Sequence, residues 1–414
     1  MSAVQLGGPE IDWAFVRTEF PVLTRPVNGR PLSYLDNAAS TQMPQRVIDR
    51  LVRYQSEEHA NIHRGVHRLS QVATDAYEDA RRVVAKFLNA NNPSECVFVR
   101  GTTEGINLVA ASWGRKFLRA GDVVVLSTLE HHSNIVPWQM LRDELGIEIR
   151  VIPVHDDATL DYEAYERLLD GPVKLVAVTH VSNAIGTVND VRRIADAAHA
   201  VGAKVLVDGA QSTPHKRVDV QALGADFFVF SGHKLCAPTG SGVLWARAEL
   251  LDAMDPFMGG GSMIHNVTFE KTTYAKAPEK FEAGTPAIMP VIGLGEAIRY
   301  LERLGLDAIE AREAGLLKYA QEQLTAVSGI TVLGPATGRA AVLSFIVDGV
   351  HPHDVGTILD QSGVAIRAGH HCAQPTMQRF GVPATARASL AFYNNRADVD
   401  ALVRALATVR EIFG

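Results

Sequence analysis

The strongest constraint on the fold is a repeated alternation of short apolar runs and helical stretches between about residues 95 and 245. The apolar runs are rich in β-branched residues and lack polar alternation, which is typical of strands buried on both faces of a sheet. They are Cys96–Val99, Val123–Leu126, Ile149–Ile152, Leu175–Val178, Val205–Val207, Phe227–Phe230 and Val243–Trp245. Helical stretches separate several of them, at Thr103–Lys116, Ile135–Leu145 and Asp190–Ala200. This alternation predicts an α/β fold whose large domain has a mainly parallel seven-stranded sheet covered by helices.

A second, smaller α+β domain is predicted in the last third of the chain. Helical periodicity is present near 294–305, 316–327 and 399–413, and strand-like segments occur at 341–347 and 364–367. Because 414 residues exceed what one simple core accommodates, a division into two domains is expected. The predicted large domain covers residues 31–295, and the predicted small domain combines residues 1–30 with 296–414.

Composition excludes several classes of partner. The chain has 40 Lys and Arg against 46 Asp and Glu, a net charge of −6, whereas nucleic-acid binding needs a basic surface. No apolar run approaches the length of a membrane span, so no membrane partner is expected. The cysteines Cys96, Cys236 and Cys372 form no disulfide framework, and the sequence MSAVQLGGPE lacks the pattern of a signal peptide. A cytoplasmic location is therefore predicted.

Polar residues follow several of the predicted strands directly. In parallel sheets, sites gather at the carboxyl ends of the strands, so we expect these residues to lie together. They are Thr102, Thr103, Glu130, His131, His132, Ser182, Asn183, Asp208, Gln211, Ser231, His233 and Lys234.

Lys234 and Asp208 together indicate a pyridoxal phosphate site. Burial lowers the pKa of a lysine at the end of a buried strand, as attack on an aldehyde requires, although a single lysine is more often a surface residue. An acid such as Asp208 would keep the pyridinium nitrogen protonated, so that the ring accepts electrons. Gln211 would hydrogen-bond the phenolic oxygen, and His131 would stack on the ring and shuttle protons.

The turn Gly101–Gly105 is a candidate phosphate site. It joins a strand to a helix, so free N–H groups and the positive end of the helix dipole would face an anion. Ser231 and His233 would supply further donors. By itself such a turn is more often only the start of a helix.

Ten motifs along nearly the whole chain resemble those of the SufS-like, type II cysteine desulfurases, which are fold-type I pyridoxal phosphate enzymes of the class V aminotransferase group. They are YLDNAAS (34–40), NIHRGVH (61–67), VRGTTEGIN (99–107), LEHHSNIVPWQ (129–139), VDGAQ (207–211), SGHKL (231–235), GGGSMI (259–264), FEAGTP (281–286), RAGHHCAQP (367–375) and RASLAFYN (387–394).

The resemblance implies a role for each candidate in cofactor binding. Lys234 binds pyridoxal phosphate covalently, Asp208 pairs with its ring nitrogen, and Gln211 and His131 contact the ring. Phosphate ligands are Thr102, Thr103, Ser231 and His233. Thr285 is expected to reach the phosphate of a neighbouring subunit, which implies a homodimer.

Cys372 is the predicted nucleophile, because it follows two imidazoles on a polar loop and matches the persulfide cysteine of the family. Cys96 is expected in the core, and Cys236 is a rival only by its proximity to Lys234. Ligation of a metal by His370, His371 and Cys372 is disfavoured, since adjacent residues rarely point at one ion. His59, His63 and His67 are expected on a loop. No metal is predicted.

The resemblance also implies the substrate site and the reaction. Arg387 would grip the α-carboxylate of L-cysteine, with Asn183, Arg367 and His63 nearby. L-Cysteine would become L-alanine, and sulfur would remain as a persulfide on Cys372 for iron–sulfur cluster assembly. The alternatives are selenocysteine lyase activity, a fold-sharing aminotransferase and a silent scaffold. His353 matches relatives that serve the zinc-bearing acceptor SufU, so a SufU-type acceptor is expected rather than a SufE-type one.

Overall fold

The computed structural model describes residues 11–413, and its largest element is a seven-stranded sheet. The strands are β1 (Cys96–Val99), β2 (Val123–Ser127), β3 (Glu148–Ile152), β4 (Val173–Thr179), β5 (Lys204–Asp208), β6 (Phe227–Ser231) and β7 (Gly242–Ala246). Their order across the sheet is β1-β7-β6-β5-β4-β2-β3, and only β7 runs antiparallel to its neighbours. The predicted α/β fold with a mainly parallel seven-stranded sheet is confirmed.

Both faces of this sheet are buried, as the apolar runs predicted. In β2, Val123 and Val125 pack into one apolar core, while Val124 and Leu126 pack into another. Successive side chains of a strand point to opposite faces, so the two cores lie on either side of the sheet. The α-helices span Trp13–Thr18, Gln45–Arg53, Arg68–Leu88, Thr102–Leu108, Arg115–Phe117, Val136–Leu145, Tyr162–Leu168, Val191–Ala200, Ala248–Ala253, Ile288–Leu304, Leu306–Thr325, Pro352–Gln361, Gln374–Arg379 and Arg396–Phe413.

The edge strand β3 departs from the prediction. Its sequence suggested burial on both faces, but only Ile152 is buried and Val151 is exposed. The opposite edge, β1, is fully buried because Arg81 donates to the Cys96 carbonyl oxygen and Glu282 accepts from the Phe98 N–H. An edge strand is therefore buried here only where other elements cover its free backbone groups.

A second sheet carries four antiparallel strands. They are β8 (Ile330–Leu333), β9 (Val342–Val347), β10 (Arg367–Gly369) and β11 (Thr385–Ser389), in the order β8-β9-β11-β10. Residues of the helices Leu306–Thr325, Pro352–Gln361 and Arg396–Phe413 share its apolar core. This sheet and its helices lie within the predicted small domain.

The helix Ile288–Leu304 contains the predicted boundary at residue 295. This helix packs against Gln45–Arg53 and Arg68–Leu88, two helices of the predicted large domain. The chain turns at Gly305, whose φ of 84° is a left-handed conformation that suits glycine. At the other end, Arg17 pairs with Asp398 at 2.9 Å and joins the N-terminal helix to the last helix. Residues 1–10 and Gly414 of the predicted small domain lie outside the described residues.

Residues 33–41, called the linking segment here, connect the two sheets. Ser33–Tyr34 pairs in parallel with Val364–Ala365. The Ala38 N–H donates to Ser389 Oγ at 2.8 Å, and the Thr41 N–H donates to the His233 carbonyl oxygen at 2.9 Å. The segment therefore links β11 to the turn that carries Lys234. Within residues 11–413, no helix has the length and apolar character that a membrane crossing requires.

Candidate active site

A cavity of about 210 Å³ lies at the carboxyl ends of the parallel strands, between them and the second sheet. Nine of the twelve polar residues predicted to lie together line it, whereas Glu130, His132 and Ser182 do not. Arg367, Cys372 and Arg387 face it from the second sheet and the loop after β10. This convergence follows from topology, because the carboxyl ends of parallel strands share one edge of the sheet. The cavity residues named from the sequence are Thr102, Thr103, His131, Asn183, Asp208, Gln211, Ser231, His233, Lys234, Arg367, Cys372 and Arg387.

Lys234 ends a single 3₁₀ turn, Gly232–Lys234, directly after β6. Burial lowers the pKa of its amine to about 8, although the nearby carboxylate of Asp208 shifts this pKa in the opposite direction. About a tenth of the amine is therefore unprotonated at pH 7, and this is the nucleophilic form.

Asp208 and Gln211 each have a side-chain oxygen that can bind a pyridine ring. The buried Asp208 carboxylate accepts from the Ala210 N–H at 2.9 Å, and burial raises its pKa, so a cationic N–H partner would stabilise its charge. Gln211 donates to the Ala38 carbonyl oxygen at 2.7 Å, and its buried Oε1 has no partner among the described residues. These two residues and Lys234 fit pyridoxal phosphate.

The turn before the helix Thr102–Leu108 contributes donors at the other end of the cavity. The Thr102 N–H donates to Ser231 Oγ at 2.8 Å, and the Thr102 hydroxyl lies 2.8 Å from the same oxygen. Gly242 of β7 makes this turn possible, since a Cβ there would lie 2.6 Å from Gly101 Cα. N–H groups and hydroxyls at a helix start are suited to a phosphate.

His131 is held as a neutral ring beside these groups. Its Nδ1 accepts from the Ser133 N–H at 3.1 Å and lies 2.8 Å from Ser133 Oγ. Burial, and then the charge of Lys234, lower the pKa of His131 to about 4. A neutral imidazole can stack on a cofactor ring without adding charge.

Glu130 is a buried residue to which the sequence assigned no role. Its carboxyl accepts from the Asn134 amide at 2.7 Å, from the Thr179 N–H at 3.0 Å and from the Ser127 hydroxyl. Burial raises its pKa to about 8. It ties the loop of His131 to the end of β4. The available signal was its place directly before His131.

Arg387 of β11 is 1% exposed and is fixed by two oxygen atoms. Its guanidinium donates to the Asn183 carbonyl oxygen at 2.8 Å and to Asp36 Oδ1 at 3.1 Å. Burial lowers the pKa of Arg387, whereas Asp36 opposes that shift. Asp36 lies in the YLDNAAS motif but was not singled out from the sequence, because its partner is 351 positions away.

Cys372 is the cysteine that lines the cavity, on the loop after β10. It is half-buried, and both His371 and Cys372 have left-handed φ angles, of 53° and 56°. Cys96 and Cys236 are buried, and burial raises the pKa of each thiol to about 12. The structure thus separates one accessible thiol from two core thiols.

Thr285 and His63 do not enter the cavity of their own chain. Thr285 is exposed and lines a separate cavity with Arg100 and Glu104. His63 is exposed on a loop, and its Nε2 lies 3.6 Å from Glu78 Oε1. A role for either residue at an active site remains a prediction. Among residues 11–413, no group of three or more His, Cys, Asp or Glu side chains is arranged to hold a metal ion.

Comparison with known proteins places this site in a family. The class-V aminotransferase model matches residues 33–402. A cysteine desulfurase of Enterobacter sp. (strain 638) is 53% identical over 96% of this chain and 98% of its own length. One of Synechococcus elongatus is 52% identical over 95% of this chain, which spans only 63% of that longer protein.

The fold agrees with a solved structure as well. The crystal structure of the Escherichia coli cysteine desulfurase CsdA, in an S-sulfonic acid form, has a TM-score of 0.91 and 38% identity over 98% of this chain and 100% of that one. The chain therefore belongs to the class-V aminotransferase family of pyridoxal phosphate enzymes, in which its half-identical relatives are named cysteine desulfurases.

Proposed function

We propose that this enzyme removes sulfur from L-cysteine, holds it as a persulfide on Cys372 and passes it to an acceptor protein for iron–sulfur cluster assembly. One observation carries the proposal: Lys234 and Cys372 line the same cavity from opposite sides. An aminotransferase needs the lysine but has no use for a thiol there. A silent scaffold has no need of either.

Arg387 and Arg367 bind the substrate, and Lys234 transfers its proton. Arg387, with Arg367 beside it, binds the α-carboxylate of cysteine and orients its thiol toward Cys372. Pyridoxal phosphate, when bound, draws electron density from the substrate Cα and makes its proton acidic. Lys234, with a pKa of about 8, takes and returns that proton close to neutral pH.

Sulfur transfer is a displacement at the substrate Sγ. The Cys372 thiolate attacks this sulfur, a new S–S bond forms, and the substrate Cβ–Sγ bond breaks. The electron pair of that bond stays with carbon, and Cβ takes a proton to give alanine. The products are L-alanine and a persulfide on Cys372, which an acceptor thiol then removes.

Two cysteine variants test this assignment. Cys372→Ala should retain cofactor binding and produce neither alanine nor sulfide from cysteine at a significant rate. Cys236→Ala is the matched control and should retain most turnover, because its thiol is buried with a pKa of about 12. Alanine and sulfide are measured with dithiothreitol as acceptor. An exchange of the two phenotypes would refute Cys372 as the nucleophile.

A homodimer with shared sites is part of the proposal. A cavity of about 700 Å³ adjoins the phosphate donors Thr102 and Thr103, and it shares Arg100 and Glu104 with the cavity of about 470 Å³ that Thr285 lines. Thr285 is thus on the surface near the phosphate donors, where a second copy could present it. Met258, which lines the same cavity as Thr285, and Phe269 are exposed apolar side chains and suit a protein interface.

Mixing two defective variants tests the shared site. If Thr285 completes the partner's site, a mixed dimer of Lys234→Ala and Thr285→Ala has one doubly defective site and one intact site. Activity at limiting cofactor should then rise after subunit exchange, toward a quarter of wild type. If Thr285 served its own chain, each mixed site would carry one defect and no recovery would occur.

A SufU-type acceptor is proposed because His353 presents an exposed imidazole, whose Nδ1 lies 3.7 Å from Asp354 Oδ1. The His353 side chain is 79% exposed, and the helix Pro352–Gln361 is capped by His351, which accepts from the His353 N–H at 3.2 Å. An imidazole can replace a zinc-bound cysteine of the acceptor and free that thiol for sulfur. We propose a cytoplasmic site of action, since free thiols persist in a reducing compartment.

His353→Ala should match wild type with dithiothreitol but lose most of its stimulation by SufU. His155→Ala, which changes another exposed histidine, should respond as wild type does. Equal stimulation of His353→Ala and wild type would refute the ligand exchange. Stronger stimulation of the wild type by SufE than by SufU would contradict the choice of acceptor.

A further inference from the structure

His132 makes two hydrogen bonds to the loop that carries Cys372, here called the nucleophile loop (His370–Gln374). The His132 N–H donates to the Cys372 carbonyl oxygen at 2.8 Å, and the Gln374 N–H donates to His132 Nε2 at 3.1 Å. His132, in the loop that follows β2, therefore binds both the nucleophile Cys372 and Gln374, two residues further along the chain. The neighbouring residue, His131, lines the cavity.

The nucleophile loop has a conformation that needs such support. His371 and Cys372 both have a left-handed backbone conformation, with φ of 53° and 56°. This conformation is unfavourable for residues that have a Cβ atom. His371 is fixed by Thr385 Oγ1, 2.8 Å from its Nε2, and by Asn183, which donates to its carbonyl oxygen at 2.6 Å. Those contacts end at residue 371. At Cys372 and Gln374 the hydrogen bonds to the large sheet come from His132.

The acceptor role of Nε2 requires that this nitrogen carry no proton. Two rings face His132: His131, with its centroid at 6.2 Å, and His370 of the nucleophile loop, at 5.6 Å. Burial, and then the charge of His370, lower the pKa of His132. The neutral form with a proton on Nδ1 is therefore favoured, and it is the form that the Gln374 N–H can bind.

We propose that His132 is a positioning residue that clamps the nucleophile loop and holds the Cys372 thiol at the cavity for attack on the substrate sulfur. His132 acts through the loop backbone and touches no reacting atom. The inference rests on the proposed sulfur transfer, but the clamp itself can be measured without substrate.

Three variants of the holoenzyme test the clamp. His132→Leu keeps the backbone N–H but loses the acceptor for Gln374. His132→Gln places a neutral amide oxygen close to the position of Nε2 and should restore it. His155→Leu is the matched control, since it removes an exposed imidazole whose side chain makes no hydrogen bond to the nucleophile loop.

His132→Leu should lower kcat for alanine formation about five- to tenfold, the effect of one lost hydrogen bond, and leave KM for cysteine within about twofold. The rate of Cys372 alkylation by iodoacetamide, followed by mass spectrometry without cysteine, should rise by a similar factor because the loop opens more often. His132→Gln should recover most of both changes, and His155→Leu should show neither.

Several results would overturn the clamp. They are an unchanged kcat in His132→Leu, an unchanged alkylation rate, a rise in KM alone, or a His132→Gln variant no better than His132→Leu. If the wild type forms no alanine from cysteine, the proposed function fails, whereas the alkylation rates still decide whether His132 holds the loop.

Discussion

Replacing Glu130 by glutamine tests how the loop of His131 is held. The Glu130 carboxyl accepts three hydrogen bonds: from the Ser127 hydroxyl and the Thr179 N–H at one oxygen, and from the Asn134 amide at the other. Asn134 cannot turn around freely, because its Oδ1 accepts from Trp138 Nε1 at 3.0 Å. The carboxyl is therefore surrounded by fixed donors, and of the three partners only Ser127 can also accept.

A glutamine amide has one acceptor and one donor, and neither orientation suits this site. If its oxygen faces Thr179, its NH₂ meets the Asn134 NH₂; if it is flipped, its NH₂ meets the Thr179 N–H. One buried donor is left unpaired in each case, so Glu130→Gln should lower the free energy of unfolding by about 1–3 kcal/mol.

The pH dependence gives a second test of the same site. Burial raises the pKa of Glu130 from 4.5 to about 8, so the stability that it contributes is fully present below about pH 4.5 and is lost as pH rises through 8. Glutamine does not titrate. The gap in stability between wild type and Glu130→Gln should therefore be widest near pH 5 and narrower at pH 9.

Adding Asn134→Asp to Glu130→Gln provides a matched rescue. In the double variant, one oxygen of the new carboxylate at position 134 accepts from the NH₂ of the new glutamine, and the other accepts from Trp138. At least half of the lost free energy of unfolding should therefore return. Urea unfolding followed by tryptophan fluorescence measures the wild type, both single variants and the double variant. Wild-type stability of Glu130→Gln at pH 6, or an additive double variant, would refute the hydrogen-bond assignment.

Three further predictions concern the cofactor and the substrate. Borohydride reduction and peptide mapping should label Lys234 in the wild type and no lysine in Lys234→Ala, and a label elsewhere would contradict the assignment. Asp36→Ala should raise KM for cysteine about ten- to a hundredfold with a smaller change in kcat, because Arg387 loses a charged partner; an unchanged KM in steady-state kinetics would be contrary evidence. Gly242→Ala should weaken cofactor binding in an absorbance titration and cost about 1–3 kcal/mol, since its Cβ would lie 2.6 Å from Gly101 Cα; wild-type affinity would show that the turn can move.

The sequence predicted the central sheet and most of the cavity because both depend on local patterns. Apolar runs identify buried strands, and residues at their carboxyl ends, such as Asp208 and Lys234, meet wherever the strands are parallel. The exposure of β3 was not predictable in this way, since the order of strands is decided by long crossovers. No local pattern shows which strand lies at an uncovered edge.

Residues whose role depends on distant partners were missed for a related reason. Asp36 acts on Arg387 of β11, and Glu130 is buried because the loop after β2 meets the end of β4. A carboxylate looks the same in the sequence whether water or three protein donors surround it. Its environment is set by tertiary structure.

The linking segment has a consequence for how this protein is made. Ala38 leaves the ribosome before its partner Ser389, which is 351 residues further along the chain. At cellular translation rates of roughly 5–20 residues per second, these atoms wait on the order of 20–70 seconds to meet. The turn that carries Lys234 can form sooner, and Ser40 and Thr41 donate hydrogen bonds to the carbonyl oxygen of His233 in this turn. The linking segment is fixed at both ends only after β11 has been synthesised and can pair with it. A nascent chain stalled before residue 385 would thus lack a finished active-site cavity, so competence for chemistry is acquired only after β11 has been synthesised.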